Sequence, residues 1–444
     1  MFSVAKNFCI AVSLVFAIGA TLSADSVIRE IRWDDLARPL QQILEAHGLS
    51  GPTFTAYIGS VRERNQKRVR EGELDHLVYY TLQSASFTSL PAIEPALSAK
   101  AFIDRRSIPP DVAARVDALL KAIDGGDPSP RLSYFREIAA RAYPDRATRR
   151  SSILGEYARA MRFLYDKEFV AAADADAAAA TGLLYQQRGL STDTSVEAGY
   201  LVDLELATLR ELEPRCRIRE VLIVGPGLDV APRTGLVESG EPQSYQPFAV
   251  IDSLLGRGLA DRATLHVTAA DINAHVVDWV RGSRGTRPHL MLVSGVRETD
   301  RVRFTDDYRS YFERLGRSIG VEAARTAAPG HLAKTIDLSA GITDAVDAAT
   351  LDAVVDRLDR KFDLVVVTNV FPYLTDADLS LALANIALML APDGILLHNE
   401  PRPLAAAAGR AAGLSPIHSR SAIVATVEGG RSPLYDAIWM FRAR

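Results

Sequence analysis

Cysteine is almost missing from this sequence: among 444 residues only Cys9 and Cys216 carry thiols. Neither a disulfide framework nor a cysteine-rich metal site can be built from two. Histidine is scarce as well, and the 8 present are scattered without the short spacings that metal ligation needs. Net charge is nearly absent, at −4, so the overall balance supplies no pull toward nucleic acid or an anionic membrane. Aromatic residues are not interleaved with basic ones as in single-strand binders, and there is no P-loop. No Ser-His-Asp or paired-carboxylate constellation is evident. Lysine is rare too, with 7 against 44 arginines; together with the alanine-rich stretches this reads as the coding bias of a GC-rich bacterial genome, not as chemistry.

Long apolar runs are lacking with one exception. Lys6 precedes a largely apolar, charge-free stretch from Phe8 to Leu22 that ends in Ser23 and Ala24. This has the layout of a secretory signal peptide, and its length is short for a membrane-spanning helix. The expectation is therefore an exported, periplasmic protein, or one held by an uncleaved N-terminal anchor; a misassigned start would leave it cytoplasmic. Membrane contact is expected only through that segment.

The rest of the chain divides in two. Residues 25–200 carry helical periodicity broken by proline and glycine, which predicts a mostly helical domain with segments at Ile28 to His47, Pro110 to Asp124, Leu132 to Ala142 and Ser151 to Ala180. The basic stretch Arg62 to Arg70, with Glu63 and Glu71 in and beside it, reads as a solvated face. The polar stretch Tyr185 to Asp193 reads as an interdomain linker or as a lid.

From about Arg219, within a predicted domain of residues 201–444, short β-branched runs alternate with amphipathic stretches, the pattern of an α/β domain with a largely parallel sheet. Strands are expected at Glu220 to Val224, Leu265 to Ala270, His289 to Val296, Leu332 to Leu338, Phe362 to Thr368 and Ile395 to Asn399. Two further runs, Ala422 to Val427 and Tyr435 to Phe441, flank the turn-forming Glu428-Gly429-Gly430-Arg431-Ser432-Pro433 and should pair as an antiparallel hairpin.

Three motifs fall on this frame in order. The apolar strand Glu220 to Val224 runs into Gly225-Pro226-Gly227-Leu228-Asp229, a turn where missing side chains let backbone approach a ligand. Asp271 stands at the carboxyl tip of the next strand, where a carboxylate accepts hydrogen bonds from vicinal hydroxyls or caps the following helix. The third motif is Lys361-Phe-Asp-Leu-Val-Val-Val-Thr-Asn369-Val-Phe-Pro-Tyr373.

Together these resemble the motifs of class I S-adenosylmethionine (SAM)-dependent methyltransferases, and the third is similar to the corresponding segment of chemotaxis-receptor methyltransferases. The resemblance implies a Rossmann-like, mostly parallel seven-stranded sheet closed by a C-terminal antiparallel hairpin, SAM as cofactor, and an unidentified methyl acceptor, small molecule or protein. It places Gly225, Pro226, Gly227, Asp229, Asp271, Ile272, Asp337 and Asn369 at the cofactor, with Asn369 and Tyr373 facing the methyl group. Two positions depart from the family pattern: Ile223 stands where an acidic residue is usual, and Asp229 replaces a third glycine. With the export signal, they leave open a fold that binds without catalysis, as an envelope protein. A nicotinamide-dependent oxidoreductase is disfavoured by Val230 in the dinucleotide fingerprint and by the hairpin. His398, near Glu400, reads as a satisfied residue at a strand end.

Overall fold

The structure is a computed structural model that describes residues 27–174, 176–232, 235–323, 328–429 and 433–444. The N-terminal apolar run and residues 430–432 of the expected turn lie outside the described residues, and among those described no helix is long and apolar enough to cross a membrane.

The chain starts with β1 (Ile28–Glu30), α1 (Arg38–Ala46) and the long α2 (Gly51–Gln83). Then come α3 (Pro95–Arg105), α4 (Pro110–Gly125), α5 (Pro130–Ala142), α6 (Arg146–Tyr165), α7 (Ala177–Gln187) and α8 (Val196–Leu212). The α/β part follows with β2 (Glu220–Val224), α9 (Gln246–Gly256), β3 (His266–Asp271), α10 (Ala274–Ser283), β4 (His289–Val293), β5 (Val302–Phe304) and α11 (Asp306–Arg314). It continues through β6 (Gly320–Glu322), β7 (Ala333–Leu338), β8 (Val346–Thr350), β9 (Asp356–Leu358) and β10 (Phe362–Val367). The last elements are α12 (Asp376–Met389), β11 (Leu390–His398), α13 (Pro403–Ala411), β12 (Leu414–Val427) and β13 (Leu434–Ala443).

The central sheet has the order β5-β12-β13-β11-β10-β2-β3-β8. Pairings from β8 through β11 are parallel, and β13 enters antiparallel between β11 and β12. Seven of these strands form the expected sheet, and the short β5 adds an eighth at the hairpin edge. Side chains alternate across it as the period of two demands. Val221, Ile223, Leu364 and Val366 join the core beneath α8, α9 and α11, while Leu222, Val224, Val365 and Val367 join the core beneath α1, α12 and α13. Ile223, one of the two departures from the family pattern, is thus a core residue.

Two predicted strands lie elsewhere. β4 and β7 pair antiparallel with each other and, with β6, form a separate three-stranded sheet. The third strand of the central sheet is β8, Val-Asp-Ala-Ala-Thr, whose alanines and aspartate give no β-branched run to read. Asp337 therefore does not stand at the sheet's crest; it is exposed on β7 and pairs with His289 at 2.6 Å.

The basic stretch is a solvated face only in part: Glu63, Lys67 and Arg70 are exposed, whereas Arg62, Arg64 and Arg68 turn to the protein. It is the middle of α2, which lies across the α/β part. Arg62 grips Asp356 with both Nη atoms, at 2.9 and 3.0 Å, and Arg64 reaches the buried Asp378 at 2.6 Å. The buried Arg68 guanidinium donates to the carbonyls of Arg188, Tyr373 and Tyr185 at 2.8, 2.9 and 3.0 Å. The glutamates beside these arginines look solvent-like in sequence, but the partners that hold the guanidinium groups come from about 120 to 310 residues away. Beyond Arg68, α2 packs with α3 to α6 around a third core that also takes in Leu228, Val230 and Val276.

Candidate functional site

The crest of the parallel sheet is built first by its glycines. Gly225 and Gly227 hold φ of +70° and +74°, a left-handed backbone that strains any other residue. Space is a second constraint. A Cβ on Gly225 would lie 2.4 Å from Val370 Cγ2, and one on Gly227 would lie 2.0 Å from Thr194 Oγ1 and 2.3 Å from the Thr192 carbonyl. What presses on Gly227 is therefore a strap of the protein's own chain, residues 188–194, which includes the end of the predicted linker or lid.

The strap is fastened at both faces. Leu190 N–H donates to the Arg68 carbonyl at 2.8 Å on the α2 side. On the other side Leu228 N–H donates to the Thr192 carbonyl at 2.9 Å, and Thr194 Oγ1 donates to the Pro226 carbonyl at 3.0 Å. Asp229 belongs to this fastening, since its carboxylate accepts Thr194 N–H at 3.0 Å. Burial holds its carboxyl well above the ordinary range, aided by the charge of Asp193. Pro226 and Asp229 thus serve the strap, and neither lines the inner cavity that the strap borders.

That inner cavity, of about 100 Å³, lies between the tips of β2, β3, β8 and β10 and is lined by Gly225, Gly227, Asp271, Ile272, Asp352 and Asn369 among others. Besides Asp193 of the strap, two buried carboxyls line it. Asp271 accepts Asn273 N–H at 2.8 Å, and backbone N–H groups of Gly227 and Ile272 also act on it; burial outweighs them and pushes it up to about 6. Asp352, just past β8, accepts from Asn65 Nδ2 at 3.0 Å and from Val354 N–H at 3.1 Å, and burial likewise raises it to about 6. Sequence reading passes over Asp352 because its strand carries no β-branched run. The signal available is its place, an acidic residue two past the end of a strand, as with Asn369 after β10.

Asn369 has φ of +61°, one of three non-glycine residues in that region among those described. Such strain persists only where surroundings over-determine it, and here Asn399 does so: its Oδ1 accepts Asn369 N–H at 2.9 Å and its Nδ2 donates to Asn369 Oδ1 at 2.8 Å. Tyr373 packs edge-on against Tyr185, with ring centroids 5.3 Å apart, beneath the Arg68 guanidinium. Asn369, Tyr373, Asp193 and Thr194 line both the inner cavity and a larger outer one of about 1430 Å³. The outer cavity is walled by α7, the strap, the end of β11 and the start of β13. His398 sits outside this arrangement, fully buried, accepting Glu400 N–H at 3.2 Å and pushed down to about 3 by burial, so it stays neutral. Of the predicted site residues, Gly225, Gly227, Asp271, Ile272, Asn369 and Tyr373 come together; Pro226 and Asp229 lie one layer away, and Asp337 lies apart.

No family model matches the chain, and no curated protein sequence does. Among solved structures it is similar to the N-methyltransferase NodS from Bradyrhizobium japonicum WM9 in complex with S-adenosyl-l-homocysteine, at 13% identity and a TM-score of 0.28, over 54% of this chain and 85% of that one. It is similar to magnesium protoporphyrin IX methyltransferase from Synechocystis PCC 6803 with bound SAM at 11% identity and a TM-score of 0.28, over 56% and 81%. It is also similar to SAM-bound CalS10, an amino pentose methyltransferase from Micromonospora echinaspora, at 14% identity and a TM-score of 0.27, over 55% and 92%. Likenesses this loose leave the assignment to the chain's own topology. Its order β8-β3-β2-β10-β11-β13-β12, parallel until the antiparallel β13 enters, is the Rossmann-like fold of class I methyltransferases.

Proposed function

We propose that this protein binds SAM across the inner cavity and the adjoining part of the outer one, and transfers its methyl group to an acceptor held in the outer one. The observation that carries the reading is the meeting of the two cavities at Asn369, Tyr373, Ser191, Asp193 and Thr194. That meeting point lies at the carboxyl crest where the strand order reverses beside β2, the switch point at which open α/β sheets take ligands. The residues present fit the cofactor. Two buried carboxyls, Asp271 and Asp352, offer acceptors to a nucleoside rich in donors.

In this reading Asp271 takes the ribose hydroxyls and Asp352, the buried carboxyl just past the neighbouring strand, the adenine amino group. Bound there, the cofactor supplies an electrophilic methyl on a sulfonium whose leaving group departs neutral. The protein therefore needs alignment more than acid-base catalysis. Asn369, fixed by Asn399, orients the reacting groups; Tyr373 forms a wall, and the strap excludes water. Titration calorimetry tests the proposal: SAM should bind with micromolar affinity, and no heat at millimolar SAM would overturn it.

We infer further that the N-terminal apolar run directs export or anchoring. Cell fractionation should then find the protein in the membrane or periplasm; a cytoplasmic protein with an intact N-terminus would refute this.

A further inference from the structure

The outer cavity is lined by six carboxyl side chains and three guanidinium groups, and the two kinds are not equally committed. Arg402 donates to Glu400, Asp376 and the carbonyls of Phe371 and Leu374. Arg131 donates to the carbonyls of Val230 and Gly240 with Glu238 beside it, and Arg188 pairs with Asp75 while lying 4.4 Å from the Phe163 ring centroid. Each cation is thus answered from within the protein. The carboxyls are in surplus. Asp193 has only His76 Nδ1, at 3.4 Å, and Asp436 has Ala437 N–H at 2.8 Å and the Asn399 amide at 3.4 Å. Among the described residues no lysine or arginine pairs with either.

Their position is as telling as their charge. Asp193 lines both cavities, as Asn369 does, and Asp436 is joined to Asn369 through Asn399. Around them stand Tyr435 and Trp439, rings whose faces attract a cation, while Tyr185 and Tyr373 already lie against Arg188 and Arg68. A cavity with surplus acceptors and aromatic walls repels an anionic acceptor and concentrates a cationic one.

Resting on the reading of the outer cavity as the acceptor site, we propose that the acceptor is a protonated amine on an apolar or aromatic body, its ammonium received by Asp193 and Asp436 beside Asn369. An ammonium has no free lone pair, so it first cedes a proton to one of these carboxylates. The amine nitrogen then forms the new N–C bond while the electron pair of the methyl C–S bond goes to sulfur. The methylated product is again an ammonium, and the cofactor product is a neutral thioether. Burial raises the Asp436 carboxyl, which brings it closer to the range where a group both takes and returns a proton.

The test uses full-length protein and three matched probe pairs at neutral pH, followed by calorimetry with and without S-adenosylhomocysteine. The pairs are tryptamine with indole-3-propionate, 2-phenylethylamine with 3-phenylpropionate, and 1-naphthylmethylamine with 1-naphthylacetate. The amine of each pair should bind about tenfold or more tightly than its carboxylate, and Asp436→Asn and Asp193→Asn should cut that preference to about threefold or less. Circular dichroism confirms that each variant is folded. Equal or reversed preference, no amine binding up to millimolar, or an unchanged preference in both variants would overturn the proposal. SAM binding is measured separately. If SAM fails to bind while the amine preference stands, methyl transfer falls and the cation site remains; the converse result removes the amine alone.

Discussion

Gly72→Ala is expected to lower the stability of the folded chain by about 3 kcal/mol, the upper part of the range for overpacking a close contact, and to weaken SAM binding with it. Gly72 lies in the interior of α2, where glycine is normally a liability. Here a Cβ would sit 1.8 Å from the Leu190 carbonyl oxygen and 2.6 Å from its carbon, and a Cβ on the facing Gly189 would sit 2.4 Å from Gly72 N. Helix backbone and strap backbone are in direct contact. Neither partner is free to retreat, because Leu190 N–H is bonded to the Arg68 carbonyl and Arg68 spans three further carbonyls. Displacing the strap would also lift Thr192 and Thr194 from the glycine loop. Gly59 supplies the internal control: it lies in the same helix with nothing within 4 Å of its would-be Cβ. Gly59→Ala should therefore stabilise by roughly 0.5–1 kcal/mol. Urea denaturation of both variants, with SAM calorimetry on each, measures the contrast; a Gly72→Ala protein as stable as the parent would show that the contact is not tight.

The same contact shows where sequence reading reached and where it stopped. β2, β3, β10 and the terminal hairpin were legible because each is a β-branched run between turn formers; the placing of such runs was not, since β4 and β7 belong to a separate sheet. Gly225, Asp271 and Asn369 were legible for a related reason, since each sits at a strand's carboxyl end. β8 was not. At the sheet's edge its Val-Asp-Ala-Ala-Thr offers no β-branched run, so the sequence points to Asp337 on β7 and passes over Asp352. Nor could α2 be placed. Its charges Arg62, Arg64 and Arg68 resemble a solvated face, and only the fold brings Asp356, Asp378 and the Tyr373 carbonyl to them. The glycines divide the same way. Gly227 was read as clearance for a ligand, whereas the atoms nearest its absent side chain belong to Thr194 and Thr192, a pairing with no trace in local sequence.

Asp271→Ala should reduce SAM affinity by about a hundredfold, the loss expected when charge-assisted hydrogen bonds worth roughly 1.5–3 kcal/mol are removed from a buried site. The pH dependence gives a sharper check. Asp271 and Asp352 are both raised by burial to about 6, above the value near 3.9 of an unfolded aspartate. The folded, ligand-free protein therefore binds protons more tightly than the unfolded chain, and through these two groups its stability increases as pH falls from about 7 toward 4. At neutral pH their ionised state costs on the order of 2–3 kcal/mol each. Ribose hydroxyls and an amino group donate to carboxylates, so cofactor binding favours the ionised forms. SAM affinity should accordingly be highest above about pH 7 and decline as pH drops through 6, and binding near pH 6 should expel protons. Calorimetry at that pH in two buffers of different ionisation enthalpy reads the proton count directly. Asp271→Asn, which cannot ionise, should remove part of the release and leave the part due to Asp352. Affinity that is flat from pH 5 to 8, with no protons released, would mean that the two carboxyls do not receive the nucleoside.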